Sequence, residues 1–195
     1  DEAKGLYPGP VTRKGQMLTN VPAKGLGAHQ ENRYEDFYNE RNIPIMLSQE
    51  GPKAAIGDVN GDGLDDIYVC GGKGQGGQLY FQKGGQFAKS PQKAFSDLAG
   101  FEDTAALFFD ADGDGDRDLV VGSGGNETLV TSPDLPTRLY LNDGKGNFTL
   151  NNRALPPNAM NTAVIVAEDY DRDGDIDLFV GSRSVPREYG SSPSS

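Results

Sequence analysis

An all-β fold of repeated four-stranded antiparallel units is what this sequence predicts, and three observations carry that reading. A nine-residue acidic stretch occurs three times, as DVNGDGLDD from Asp58, DADGDGDRD from Asp110 and DYDRDGDID from Asp169. Short apolar runs stopped by glycine bracket each copy, which is strand–turn–strand patterning and not helical periodicity. The 27 glycines and 12 prolines in 195 residues supply frequent turns, while the hydrophobic share is only 35%.

Taken in chain order, residues 1–42 do not fit the repeat. VTRKGQMLTNVPAKGLG reads as a short strand pair around Lys14-Gly15, and ENRYEDFYNERNIP as a short helical or irregular acidic segment. The repeats occupy residues 43–185. In each, an apolar run (AAIG, ALFF or VIVA) enters the acidic loop and another (IYVCGG, LVVGSGG or LFVGSR) leaves it, so the loop joins two strands. The first two copies continue into QLYFQKGGQFAKS and RLYLNDGKGNFTLNN. Both read as strand, tight glycine turn, strand, the signature of a hairpin. The units fall near residues 43–92, 100–152 and 160–185, the third without its hairpin. The offsets between loops, 52 and then 59 residues, are those of one copied supersecondary unit. Four antiparallel strands at this period fit a partial β-propeller of about two and a half blades. Open blade edges and faces invite self-association, and the tail from residue 186 reads as a flexible linker.

Charge narrows the function classes. With 18 basic and 29 acidic residues the net charge is −11, which argues against nucleic acid and against an anionic membrane surface as partner. Fourteen of the acidic residues lie in the three loops, offset there only by Arg117 and Arg172. One divalent cation per loop would leave about −5. No apolar stretch is long enough to insert in a membrane. The opening DEAKGLYPGP lacks the pattern of a signal peptide, so any leader lies upstream of it or has been removed. Cys70, the one cysteine, sits in an apolar run and reads as a buried, inert thiol.

The loops align as D-x-[DN]-x-D-G-x-x-D. A hard cation such as Ca2+ takes about six to eight oxygen ligands at about 2.3 to 2.6 Å, and a tight turn with an oxygen on alternate residues wraps around it. The first loop then offers Asp58, Asn60, Asp62, the carbonyl of Leu64, and Asp66. The second offers Asp110, Asp112, Asp114, the carbonyl of Asp116, and Asp118. The third offers Asp169, Asp171, Asp173, the carbonyl of Asp175, and Asp177. Gly63, Gly115 and Gly174, at the sixth position, are expected at positive φ. Carboxylates about 4 Å apart repel by roughly 4 kcal/mol at an effective dielectric of 20, so up to three bound Ca2+ are expected. An EF-hand needs a bidentate glutamate at position 12, where these loops carry Val69, Val121 and Val180. Plain acidic turns are the bland alternative, and Mg2+ is disfavoured because it seldom uses all-protein cages.

On these residues the chain resembles the FG-GAP/VCBS repeats, the calcium-binding blades also found in integrin α-subunits. The stretch LSQEGPKAAIGDVNGDGLDDIYVCGGKGQGGQLY is similar to bacterial secreted proteins that join such repeats to an ASPIC/UnbV domain. KGQMLTNVPAKGLG is weakly similar to the end of that domain, which implies that residues 1–42 are its remnant. The resemblance implies a seven-bladed propeller, calcium between the first two strands of a blade, and an extracellular, cell-surface or periplasmic setting.

Other chemistry has little support. His29, the one histidine, lies outside the repeats, and GGKGQGG lacks the spacing and following Ser/Thr of a phosphate loop. Asn126 in NET and Asn147 in NFT match the glycosylation acceptor pattern, a common one. Tyr34, Tyr38 and Arg183 are candidates for contact with a protein or carbohydrate ligand. The reading is a non-enzymatic calcium-binding module for binding or adhesion. A calcium-dependent polysaccharide lyase or hydrolase is the alternative, since paired carboxylates also serve glycoside cleavage, and a structural spacer is the third.

Overall fold

A computed structural model describes residues 24–49, 51–127, 136–157, 161–188 and 190–192. The strand pair read around Lys14-Gly15 lies outside them. The described chain is β-structure throughout its repeats, as the glycine-stopped apolar runs imply. The first sheet comprises β1 (Ala54–Gly57), β2 (Asp66–Val69), β3 (Gln78–Lys83) and β4 (Gln86–Ser90). The second comprises β5 (Glu102–Phe109), β6 (Asp118–Gly124), β7 (Arg138–Asn142) and β8 (Phe148–Asn151). Both are antiparallel and ordered as in sequence, so each strand pairs with its successor. The third contains β9 (Asn161–Glu168) and β10 (Asp177–Ser184) among the described residues.

Turn chemistry sets the hairpins. Between β3 and β4 the register places Lys83 opposite Gln86, leaving Gly84 and Gly85 as a two-residue turn with φ of 57° and 75°. Two successive positive φ values match the right-handed twist of the flanking strands, and glycine adopts them without steric cost. The sequence showed no helix in the repeats, yet a short one, α1 (Lys93–Ser96), links the first two sheets. It carries Phe95 into the core, edge-on to Tyr68 at 5.2 Å and to Tyr140 at 5.0 Å.

The period of two along β6 decides how sheets stack, because successive side chains leave opposite faces. Leu119 and Val121 join Tyr140 and Phe148 against Ala55, Tyr68 and Leu79 of the first sheet. Val120, between them, joins Leu139 and Phe109 against Ile165 of the third. The close approach of the second and third sheets needs Gly122, where a Cβ would lie 2.4 Å from Thr162 Cγ2. Cys70 is fully buried, and burial pushes its thiol well above the ordinary range, as the sequence reading held.

A buried polar cluster ties the first two sheets together. Asp103 pairs with Arg138, and both are buried. It also accepts from Tyr68 Oη at 3.1 Å and from the Gly71 amide at 3.3 Å, across the sheet boundary.

Residues 24–49 lie across the same end of the sheets. The Gly27 amide donates to Tyr80 Oη and the Gln30 amide to Gln75 Oε1, both at 3.0 Å. Tyr34 Oη donates to the Asn126 carbonyl, and the Asn126 amide donates to Ser48 Oγ. In the segment read as helical or irregular, Asp36–Tyr38 is a single 3-10 turn, and Asp36 accepts from the Ser48 amide and hydroxyl at 3.1 Å. Arg187, in the stretch read as a tail, donates to the side-chain oxygen of Asn126 at 3.1 Å and to the Glu127 carbonyl at 2.7 Å. Asn126 is thus 1% exposed and bonded on every side, whereas Asn147, in the other match to that common pattern, is exposed.

Beneath this strap Glu102 accepts from the Lys73 amide at 2.7 Å and from Asn32 Nδ2, which also faces Glu127. Burial, with the charges of Glu31, Glu127 and Asp103, pushes Glu102 up to about 7 against the pull of the Lys73 amide. The folded chain therefore keeps a proton there that the unfolded chain loses near its ordinary value, so this group's stabilisation falls as pH rises from about 4.5 to about 7. Melting curves at pH 5 and pH 8 check it: Glu102→Gln should gain on the order of 2 kcal/mol over the parent at pH 8 and little at pH 5.

Candidate metal centres

Each acidic loop connects the first two strands of its sheet: β1 to β2, β5 to β6 and β9 to β10. Strands on both sides, with Val69, Val121 and Val180 inside them, remove the EF-hand reading. The predicted glycine turns are present, with φ of 82° at Gly63, 94° at Gly115 and 100° at Gly174. The sequence reading missed a second left-handed residue at position 4: Gly61 and Gly113 have φ of 73° and 77°, and Arg172 has φ of 65°. A side chain in that conformation costs about 1 kcal/mol or more, so the third loop carries strain that the other two avoid.

The first aspartate organises each turn. Asp58 accepts from the amides of Gly61 and Gly63 at 2.8 Å and of Asp62 at 3.2 Å. Asp110 accepts from Gly113 and Gly115, and Asp169 from Asp173 and Gly174. Burial pushes the Asp58 carboxyl upward, but amides led by that of Gly63 outweigh it and hold it below its ordinary value. Side chains at positions 3 and 5 cap the amide two residues on: Asn60 to Asp62, Asp62 to Leu64, Asp114 to Asp116, Asp171 to Asp173 and Asp173 to Asp175. At Leu64, Asp116 and Asp175, where the sequence reading placed a carbonyl ligand, the contact seen is this amide bond.

Position 9 is where tertiary structure adds most. Asp66 and Asp118, read from sequence as ligands, are fully buried. Asp66 takes the Val59 amide on one oxygen and the Gln82 amide of β3 on the other, at 3.2 and 2.9 Å. Asp118 takes the amides of Ala111 and of Asn142 in β7, both at 2.8 Å. Burial raises both carboxyls above their ordinary value while those amides pull them back. Each oxygen retains a lone pair after one amide bond, so the contact does not preclude ligation. Asp177, exposed, accepts only from Tyr170 among the described residues. Asn142 is a site residue the sequence reading missed: its amide group donates to the carbonyls of Val59 at 2.8 Å and Arg117 at 3.0 Å, joining two loops.

Side-chain oxygens converge in two loops. One oxygen each from Asp110, Asp112 and Asp114 lies within 4.8 Å of the others, as do those of Asp169, Asp171 and Asp177. In the first loop Asn60 replaces the middle carboxylate. The donor set is all oxygen and carboxylate-rich, the chemistry of a hard cation. The second loop also holds surplus charge: burial first, then Asp114 and Asp118, pushes Asp116 up to about 6, and its Oδ1 is buried with no partner among the described residues. These residues fit a divalent cation.

The profile described as FG-GAP-like repeat matches residues 58–121 and 122–180, well over half of the chain. The chain belongs to the FG-GAP-like repeat family. Each FG-GAP-like match ends on the position-12 valine of an acidic loop, Val121 or Val180, so the sequence unit runs from one sheet into the next. No curated protein matches the chain significantly. No helix among the described residues is long and apolar enough to cross a membrane.

The buried aspartate of the first two FG-GAP-like loops yields a test free of any metal. Asp118→Ala strands the buried Asn142 amide and the part-buried Ala111 amide and should destabilise the calcium-free protein by about 2–5 kcal/mol in urea unfolding. A loss under about 1 kcal/mol would show that those bonds do not hold the loop.

Proposed function

We propose that the chain is a calcium-stabilised stretch of β-propeller, two four-stranded blades and part of a third, that works without catalysis as a binding or adhesion module. The observation that carries this reading is one acidic loop built alike at the same place in three successive sheets, with converging carboxylates in two of them. Up to three Ca2+ would be held by Asp58, Asn60, Asp62 and Asp66; by Asp110, Asp112, Asp114 and Asp118; and by Asp169, Asp171, Asp173 and Asp177. The carbonyls of Leu64, Asp116 and Asp175 belong to the same sets. Calcium supplies the charge that lets these oxygens share one turn. The family supports an extracellular, cell-surface or periplasmic setting. The likeness of residues 1–42 to the end of an ASPIC/UnbV module belongs to this reading. The partner is a protein or carbohydrate; a net charge of −11 disfavours nucleic acid.

Calcium acts on stability by mass action, about 2.7 kcal/mol per site at a hundredfold excess over Kd. Melting in EDTA and then in millimolar Ca2+ should differ by several degrees, with Asp110→Ala/Asp112→Ala losing part of the gain. Identical curves would sink the calcium reading.

Self-association follows from the third sheet. Tyr68, Val120 and Phe179 occupy the same motif position, and the first two are covered by the next sheet while Phe179 is 59% exposed. Val164 and Val166 share that open apolar surface. Light scattering on the concentrated protein should give a mass above 20.8 kDa that Phe179→Lys lowers. A monomeric parent would overturn this part.

A further inference from the structure

We propose that Asn142 is a positioning residue shared by the first two acidic loops, and that it couples their binding of cations. The coupling rests on the calcium reading and makes two of the three sites a pair. Asn142 is buried at the end of β7. Its Nδ2 group, with two protons to give, donates to the Val59 carbonyl of the first loop at 2.8 Å and to the Arg117 carbonyl of the second at 3.0 Å. Those carbonyls belong to the peptides that lead into Asn60 and Asp118, a proposed ligand on each side.

The rest of the residue is held as well. Oδ1 accepts from the Asp143 and Gly146 amides at 2.9 and 3.0 Å, and the Asn142 backbone amide donates to Asp118 Oδ1 at 2.8 Å. A planar amide fixed at both ends cannot follow one carbonyl without drawing on the other. The turn after it fills the gap between the same loops: a Cβ on Gly144 would lie 2.9 Å from Asp116 Oδ2, and one on Gly146 3.6 Å from Asn60 Cβ. The Val59 amide donates in turn to Asp66, so the two buried carboxylates at position 9 are joined through Val59 and Asn142. The carboxylates of the third loop accept only from amides of that loop among the described residues.

The coupling is positive. A cation draws the oxygens of its loop to fixed positions, so filling one loop orders Asn142 and, through it, a peptide of the other. The second cation then has less to order, and each site tightens the other by the same factor. Repulsion between the cations opposes this, but solvent screens it beyond about 10 Å. The loops also carry surplus charge: Asp58, Asp62, Asp65 and Asp66 in the first, and five aspartates against Arg117 in the second. Each stays negative with one Ca2+ bound.

Calcium titrations of the full chain followed by amide NMR separate the sites, with Gly113 and Gly115 reporting the second loop and Gly174 the third. Asp62→Ala, which strips an exposed carboxylate from the first loop, should weaken calcium at the second loop roughly fivefold and leave the third unchanged. Asn142→Asp keeps Oδ1 for the turn and removes both donors; in that background Asp62→Ala should weaken the second loop no more than about twofold. Asn142→Ser, which lacks the reach and adds no charge, should behave likewise. The field lost with the Asp62 carboxylate is common to every background, so the difference isolates the contact. No calcium at any loop would sink the calcium reading and the coupling with it. Calcium at both loops, with the second indifferent to Asp62→Ala or equally responsive in the Asn142 variants, would overturn the coupling and leave the calcium reading standing.

Discussion

A buried carboxylate at the head of the second strand is the contact on which the rest of each full sheet depends. Asp66 and Asp118 each grip the second residue of their own loop with one oxygen and the end of the third strand with the other. A single side chain thereby fixes where the loop turns and where the third strand stops. Burying it costs free energy, since desolvation raises both carboxyls, and the amide bonds offset that cost. The third copy shows the device half built: Asp177 has no third strand to hold among the described residues and stays exposed.

Stacking of sheets rests on two different kinds of bond. The apolar part is the alternation along β6, which sends Leu119 and Val121 one way and Val120 the other. Apolar contacts set distance but tolerate sliding, whereas the Asp103–Arg138 pair and its bonds to Tyr68 and Gly71 admit one register. Residues 24–49 add a third restraint by spanning the ends of the first two sheets and meeting, through Asn126, the segment that follows the third. A short repeat needs such ties because each unit contacts only its neighbours.

The loops store electrostatic strain that the scaffold holds in place. Amide donors at the first aspartate absorb part of the charge, and Asp116, crowded by burial and by Asp114 and Asp118, shows where they are insufficient. One oxygen each from Asp110, Asp112 and Asp114 already lies within 4.8 Å of the others, so little rearrangement would be required to bring them onto a divalent cation.

What the residues alone determined was local. Glycine-stopped apolar runs set the strands, paired glycines set the β3–β4 turn, and the D-G step set the left-handed sixth residue, because each depends on neighbours a few positions away. The requirement at position 4 was equally local, and the glycines of the first two loops announced it, but Arg172 in the third hid the pattern. Tertiary structure decided the remainder: that position 9 is buried in the two full sheets, that Asn142 joins two loops, that Asn126 is enclosed, and that Glu102 lies among acids. Those outcomes arise between residues as many as 92 positions apart, as with Tyr34 and Asn126, where no periodicity in the sequence carries a signal. Burial and field at such points belong to the packed sheets and not to any one stretch of chain.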